Sequence, residues 1–245
     1  MDTSAVSHFS GPYGLQGGLA SALLLRRMRA VVAPDREPVT LGVRFIRPLG
    51  GTVDIEAEPV RSGALVSWVT ASASTDGRIG MHAHAAFTAQ RASDTPAVAA
   101  PMPGSIADWK DGPTVPLPPD FGPVAQLIEV RPAMYIIPYS GADAPVLCAW
   151  MRLKDDVAAA DERLVILADS LAPSYSAILT ELKAIPTVEM SVQLSAAAQR
   201  TPFEWVVVRS ATTLADDRGW LRENIDVWSE DGTHLATATQ LRIVR

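Results

Sequence analysis

The hydrophobic pattern falls into two similar blocks, separated by a stretch that has none. In the first block, residues 17–32 (GGLASALLLRRMRAVV) are rich in Ala and Leu, carry no charge in their first half, and end on Arg26, Arg27 and Arg29. Cations suit a helix C-terminus, where unpaired carbonyls gather negative charge. Pro34 and Pro38 close the run, so a helix is predicted there. Four β-rich runs follow, at 40–46, 52–60, 65–74 and 78–89. The last two flank Asp76-Gly77, a pair suited to the positive-φ corner of a hairpin.

The second block repeats the order. Residues 126–137 and 146–153 read as strands. Residues 164–185 (LVILADSLAPSYSAILTELKAI) read as a helical region, with Asp169 the only charge in much of its first half and Pro186 as its stop. Strands are expected at 187–194, 203–212 and 220–228, and Asp231-Gly232 turns the chain into a last one at 234–244. A helix followed by hairpin-linked antiparallel strands thus occurs twice, which makes an internal repeat of the α+β class. Neither helix shows much amphipathic contrast in its apolar half, so each must be wrapped on most sides. A curved antiparallel sheet folded around a helix does this.

Between the blocks, residues 91–123 contain eight prolines and little periodic pattern. Proline removes amide donors and disfavours helix before it, so this stretch reads as a connector, with Trp109 and Phe121 as candidate anchors. The expected organisation is an N-terminal unit at 1–90, the connector at 91–123 and a C-terminal unit at 124–245.

Composition narrows the field. At 245 residues the chain suits one large domain or two small ones sharing a core. A net charge of −6 argues against a nucleic-acid binder. No signal peptide is visible, and no apolar run approaches the ~20 residues of a membrane span. The single cysteine, Cys148, lies in an apolar strand-like run and reads as a core thiol. A cytoplasmic protein with no membrane partner is expected.

Several residues could carry chemistry. Asp169 sits among apolar neighbours, where a carboxylate is costly unless hydrogen-bonded. It is either a helix N-cap or a base with a raised pKa. Thr187 opens a strand after Pro186, by β-propensity or to place its hydroxyl. Gln240 lies in a run of small and apolar residues, where its amide could both accept from and donate to one water. Gly17-Gly18 either permits close packing or offers helix-N-terminal amides to a developing oxyanion. His82 and His84 alternate on one strand without acidic or thiol partners nearby, so no metal is expected. The nucleophile-elbow, P-loop and dinucleotide-binding signatures are all missing, and so is the Asp-x-x-x-x-His helix of hydratases.

Four segments resemble the TesB-type acyl-CoA thioesterases. These are Gly14-Leu15-Gln16-Gly17-Gly18-Leu19-Ala20; Phe45-Ile46-Arg47-Pro48 with Arg61-Ser62-Gly63; Leu167-Ala168-Asp169-Ser170 with Ile185-Pro186-Thr187; and Ala238-Thr239-Gln240. The resemblance implies a double hotdog, with two helix-wrapping sheets joined edge to edge. It also implies an acyl-CoA substrate, no cofactor, and a homodimer or higher homo-oligomer. By position, Asp169, Thr187 and Gln240 would bind and activate the attacking water. Gly17 and Gly18 would meet the oxyanion, and Arg47 and Arg61 would face the CoA phosphates. Two features depart from the family. The segment before Gly11 is short for a first strand, and Thr187-Val188-Glu189-Met190-Ser191 lacks the Asp-His often found after that threonine. The rival readings are a non-catalytic acyl-CoA or lipid-binding module on the same fold, and a hotdog hydratase or dehydratase.

Overall fold

The computed structural model describes residues 10–11, 14–89, 96–115, 123–154 and 158–245. Two short strands, β1 (Ser10–Gly11) and β2 (Gly14–Leu15), pair with each other and lead into helix α1 (Gly17–Arg29). Strands β3 (Arg36–Phe45), β4 (Asp54–Ser62), β5 (Val66–Thr75) and β6 (Arg78–Ala89) complete the first unit. A single turn, α2 (Val124–Leu127), precedes β7 (Ile128–Pro132), β8 (Val146–Leu153) and helix α3 (Ala160–Ala168). A 3-10 turn at Ser174–Ile178 is followed by β9 (Thr187–Leu194), β10 (Val206–Ala215), β11 (Trp220–Ser229) and β12 (His234–Ile243).

Ten strands make one antiparallel sheet in the order β4-β5-β6-β3-β9-β12-β11-β10-β8-β7. The order β4-β5-β6-β3 is matched by β10-β11-β12-β9, so the internal repeat is real. The two units join where β3 pairs with β9. The sheet curls around α1 and α3, which lie side by side and antiparallel: Arg26 and Arg29 of α1 bond Glu162 and Asp161 at the start of α3, while Gly18 packs on Ile166 near its end. This is the double hotdog expected from the sequence. Leu24, Leu25 and Met28 of α1 and Leu164, Val165 and Leu167 of α3 are fully enclosed, each such side chain contributing roughly 1.5–3 kcal/mol by leaving water. The Asp76-Gly77 corner has φ of 51° and 70°, the left-handed pair a two-residue hairpin needs.

Two expectations need correction. The helical region expected at 164–185 starts earlier and stops sooner. Asp161 and Glu162 belong to α3 because arginines of the other unit neutralise them inside the protein. The helix breaks at Asp169, where Ser170 Oγ donates back to the Ile166 carbonyl (2.6 Å) and Pro173 forbids further α-helix at the residue before it. The strand expected over 126–137 is confined to β7, with α2 before it. Trp150, Trp205 and Trp228 form a second cluster on the outer face of the sheet, while Trp68 is exposed. The connector covers that outer cluster: Trp109 stacks on Trp205 with ring centroids 4.9 Å apart. Trp150 Nε1 donates to the Ala107 carbonyl and Trp228 Nε1 to that of Ala100. Phe121, the other expected anchor, lies outside the described residues.

Candidate active site

The antiparallel helix pair brings the N-terminus of α1 against the C-terminus of α3, and Asp169 stands at that junction. It is the C-cap of α3, not an N-cap. The dipole of its own helix therefore opposes its negative charge, while the N-terminus of α1 favours it. Glycine at 17 and 18 makes the approach possible. A Cβ on Gly17 would lie 2.8 Å from Asp169 Oδ2 and 2.9 Å from the Phe45 ring. One on Gly18 would lie 2.9 Å from both Asp169 Cβ and the Ile166 carbonyl oxygen.

Neutral donors hold the carboxylate. Gln240 Nε2 donates to Oδ1 at 2.7 Å and Gln16 Nε2 to Oδ2 at 3.2 Å. Gln16 is also the N-cap of α1, its Oε1 accepting from the Leu19 amide at 2.6 Å. Asp169 as a residue is only half-buried, yet protein atoms crowd its carboxylate deep in the molecule. Part of the residue stays in reach of solvent while its carboxylate is enclosed by protein. Burial pushes its pKa above the usual carboxylate range. The Arg242 charge and the hydrogen bonds from Gln240 and the Gly18 amide pull the other way, and a nearby Glu223 adds to the rise. Gln240 itself is 1% exposed, and its Oε1 is buried without a hydrogen-bond partner.

Of the sequence candidates, Asp169, Gln240, Gly17 and Gly18 are brought together. Thr187 opens β9 directly across from Arg242, one pair beyond Leu241 and Glu189. It is half-buried. Among the described residues its hydroxyl makes no hydrogen bond to Asp169 or Gln240. Arg47 and Arg61 are not brought together. Arg47 shares a surface groove of about 380 Å³ with Pro48, Thr75, Asp76 and Arg78. Arg61 pairs with Trp68 near the far end of β4, roughly 23 Å along the strand from Asp54 beside that hairpin. Arg78, absent from the sequence reading, is the arginine beside Arg47.

Sequence reasoning also missed Gln16, Glu223 and Arg242. Glutamine is an uncommon N-cap, so Gln16 gave little signal. The other two did give one. Strand alternation points Leu221, Ile225 and Val227 inward, which puts Glu223 on the core face. The same alternation carries Gln240 and Arg242 inward on the next strand. Two opposite charges at inward positions of neighbouring strands imply a buried pair. Among the described residues no three His, Cys, Asp or Glu side chains gather as a metal ion would require. No helix among them is long and apolar enough to cross a membrane.

Residues 8–90 match the family model of the acyl-CoA thioesterase N-terminal domain, and residues 106–244 that of the acyl-CoA thioesterase C-terminal domain. A comparison with curated protein sequences finds no match. Among solved structures, the chain is similar to a hot dog fold protein of unknown function from Alicyclobacillus acidocaldarius, with 26% identity, TM-score 0.85, and coverage of 98% of this chain and 90% of that one. A candidate thioesterase II from Thermobifida fusca YX shares 24% identity with TM-score 0.81, over 98% and 90% of the two chains. Acyl-CoA thioesterase II TesB2 from Mycobacterium marinum shares 18% with TM-score 0.73, over 95% and 91%.

Proposed function

The chain belongs to the acyl-CoA thioesterase family, and on that premise we propose that it hydrolyses an acyl-CoA to the free acid and CoA with Asp169 as the base. The observation that carries this reading is the state of the Gln240 amide. Its nitrogen is engaged by Asp169, while its oxygen is buried and unpartnered. An orphaned buried acceptor costs about 1–3 kcal/mol. A water that donates one proton to Gln240 Oε1 and the other to Asp169 removes that cost and stands ready for attack.

The steps follow from this placement. Asp169 takes a proton as the water oxygen bonds to the thioester carbonyl carbon, and the carbonyl π pair moves onto its oxygen. The first-turn amide of Gly17 meets that oxyanion while the Gly18 amide stays on Asp169, and the helix N-terminus adds favourable potential. The intermediate collapses, the C–S bond breaks, and the CoA sulfur leaves with the proton held by Asp169. Thr187 completes the water's surroundings from the strand edge. Arg47, with Arg78 beside it, offers cations to the CoA phosphates at the groove between the β3–β4 loop and the β5–β6 hairpin.

A thiol-release assay over acyl-CoAs of different chain length tests the proposal. The single cysteine adds no background, because burial pushes the Cys148 thiol up to about 12. Asp169→Asn and Gln240→Ala, both folded, should each lose on the order of 10²-fold or more in kcat. Tight acyl-CoA binding with no turnover by the native protein at any chain length would instead identify a binding module.

A further inference from the structure

The inward face of the sheet beside Asp169 carries a buried ion pair that the proposed chemistry does not use. Arg242 Nε donates to Glu223 Oε2 at 2.6 Å, with side chains 7% and 1% exposed. Stability alone does not explain such a pair, because well-packed apolar residues of similar volume usually serve as well or better. Its connections are more specific. Glu223 is the direct cross-strand partner of Gln240, which sets the two Cβ atoms about 5 Å apart. The other Glu223 oxygen accepts from the Ser174 amide, in the turn that follows Asp169. Arg242 lies two residues beyond Gln240, and its Nη1 donates to the Ile185 carbonyl at 3.3 Å, just ahead of Thr187. One ion pair thus ties together the strand of Gln240, the exit from Asp169 and the entry to Thr187.

The pair also dominates the charge around Asp169. The charged side chains of α1 (Arg26, Arg27, Arg29) and of α3 (Asp161, Glu162, Arg163) stand at the opposite ends of their helices. On β9, Glu189 is exposed and bridges to Arg44 of β3. Glu181 and Lys183, in the loop before β9, are exposed. Arg242 and Glu223 are left as the charges that act on Asp169, the first favouring its anion and the second opposing it.

Resting on the reading of Asp169 as the base, we infer that the Arg242–Glu223 pair is a positioning unit: it fixes the 170–186 loop and balances the charge at the carboxylate so that Asp169 ionises where it can accept a proton. Neither residue needs to touch substrate. The unit is tested by the pH dependence of kcat/KM for acyl-CoA hydrolysis, whose acid limb reports the free enzyme's base. Glu223→Gln keeps an acceptor for the Ser174 amide and removes the opposing charge, so the limb should move to lower pH. Arg242→Gln removes the favouring charge, so the limb should move to higher pH. Each displacement should be about half a pH unit or more for charges this near. Arg242→Lys, which keeps the charge, should restore the native limb.

Displacements of opposite sign in folded variants support the inference. Limbs that coincide with the native one, with only thermal stability or kcat reduced, overturn it and leave the pair a structural strut. Should Arg242→Gln not fold, the downward shift in Glu223→Gln and the native limb in Arg242→Lys decide the matter. Full turnover by Asp169→Asn removes the base reading and this inference together. A normal loss in Asp169→Asn with unmoved limbs removes the inference alone.

Discussion

Replacing Gly18 by alanine tests whether the closeness of the two helices is what makes the site. Its new Cβ would meet the Ile166 carbonyl oxygen at 2.9 Å and Ile166 Cα at 3.0 Å, against an ordinary contact of 3.4 Å or more. The shortfall is roughly half an ångström, and it falls on backbone atoms that cannot rotate aside. The helices must separate by about that much, or α1 must tilt. Alanine adds about 1 kcal/mol of helix propensity over glycine, whereas overpacking of this kind costs about 1–3 kcal/mol. The net expectation is a loss of up to about 2 kcal/mol, or a few degrees in Tm for a chain of this size. Catalysis should suffer more, because the same shift withdraws the first-turn amides and Gln16 from Asp169, and misplacement of about 1 Å can cost 10²-fold. We expect kcat to fall about 10-fold or more with a small change in KM. Gly50→Ala, where an added Cβ meets nothing within 4 Å, is the control. Thermal melts and acyl-CoA hydrolysis read both effects. A Gly18→Ala protein that is more stable than the native one and fully active would refute the reasoning.

Other outcomes follow from the same contacts. Asp169→Asn should raise Tm at neutral pH while abolishing turnover. Burial raises this carboxyl's pKa, so the folded chain keeps a proton that the unfolded chain has released, and ionisation costs stability as pH rises above the unfolded value of about 4. The gain should be largest at neutral pH and shrink towards pH 4; melts across that range check it, and a variant less stable than the native protein throughout contradicts it. Glu162→Gln removes the enclosed charge that Arg26 and Arg29 share, but leaves those arginines 40% and 31% exposed to water, so it should cost about 1–3 kcal/mol, seen as a lower denaturant midpoint. Trp109→Ala removes the ring stacked on Trp205. It should cost about 1–3 kcal/mol, since the ring is only half-buried, and expose residues 96–115 to limited proteolysis with kcat unchanged, because the outer cluster is across the sheet from Asp169.

How much of this was legible in the sequence differs from element to element. The helix at 17–29 could be read because its partners are apolar, and burial on all sides shows as missing charge. The start of the helix at 160–168 could not. Asp161 and Glu162 look like a solvated turn until Arg26 and Arg29, more than 130 residues earlier, are placed against them. Its end could have been read more closely, since Pro173 already limits the residue before it. The pairing of Asp169 with Gln240 spans 71 residues and came from resemblance; local pattern contained each residue but not their meeting. Arg61 stands beside Arg47 among the candidates only through the resemblance. A strand that runs from one place to another carries its ends apart by about 3.3 Å per residue, and only the register revealed Arg78 as the neighbour.

The antiparallel helix pair creates two junctions, and their chemistry explains why one end is a site and the other is not. At one junction the C-terminus of α1 meets the N-terminus of α3. There two arginines face two carboxylates, Asp161 and Glu162, that are almost wholly enclosed. Both charges of each kind also match the helix end on which they sit: cations at a C-terminus, anions at an N-terminus. Nothing there is left unsatisfied for a ligand to complete. At the other junction a single acid sits on the wrong helix end, held by two neutral glutamine amides and a backbone N–H instead of a direct cation. The cation that acts on it, Arg242, is already paired with Glu223. The repeat supplies the same scaffold twice, and charge compensation closes one copy while leaving the other with an acid able to change its protonation state. A carboxylate must lack a direct counter-ion to accept a proton readily, and in this fold the glycine pair and Gln240 provide a place where it does.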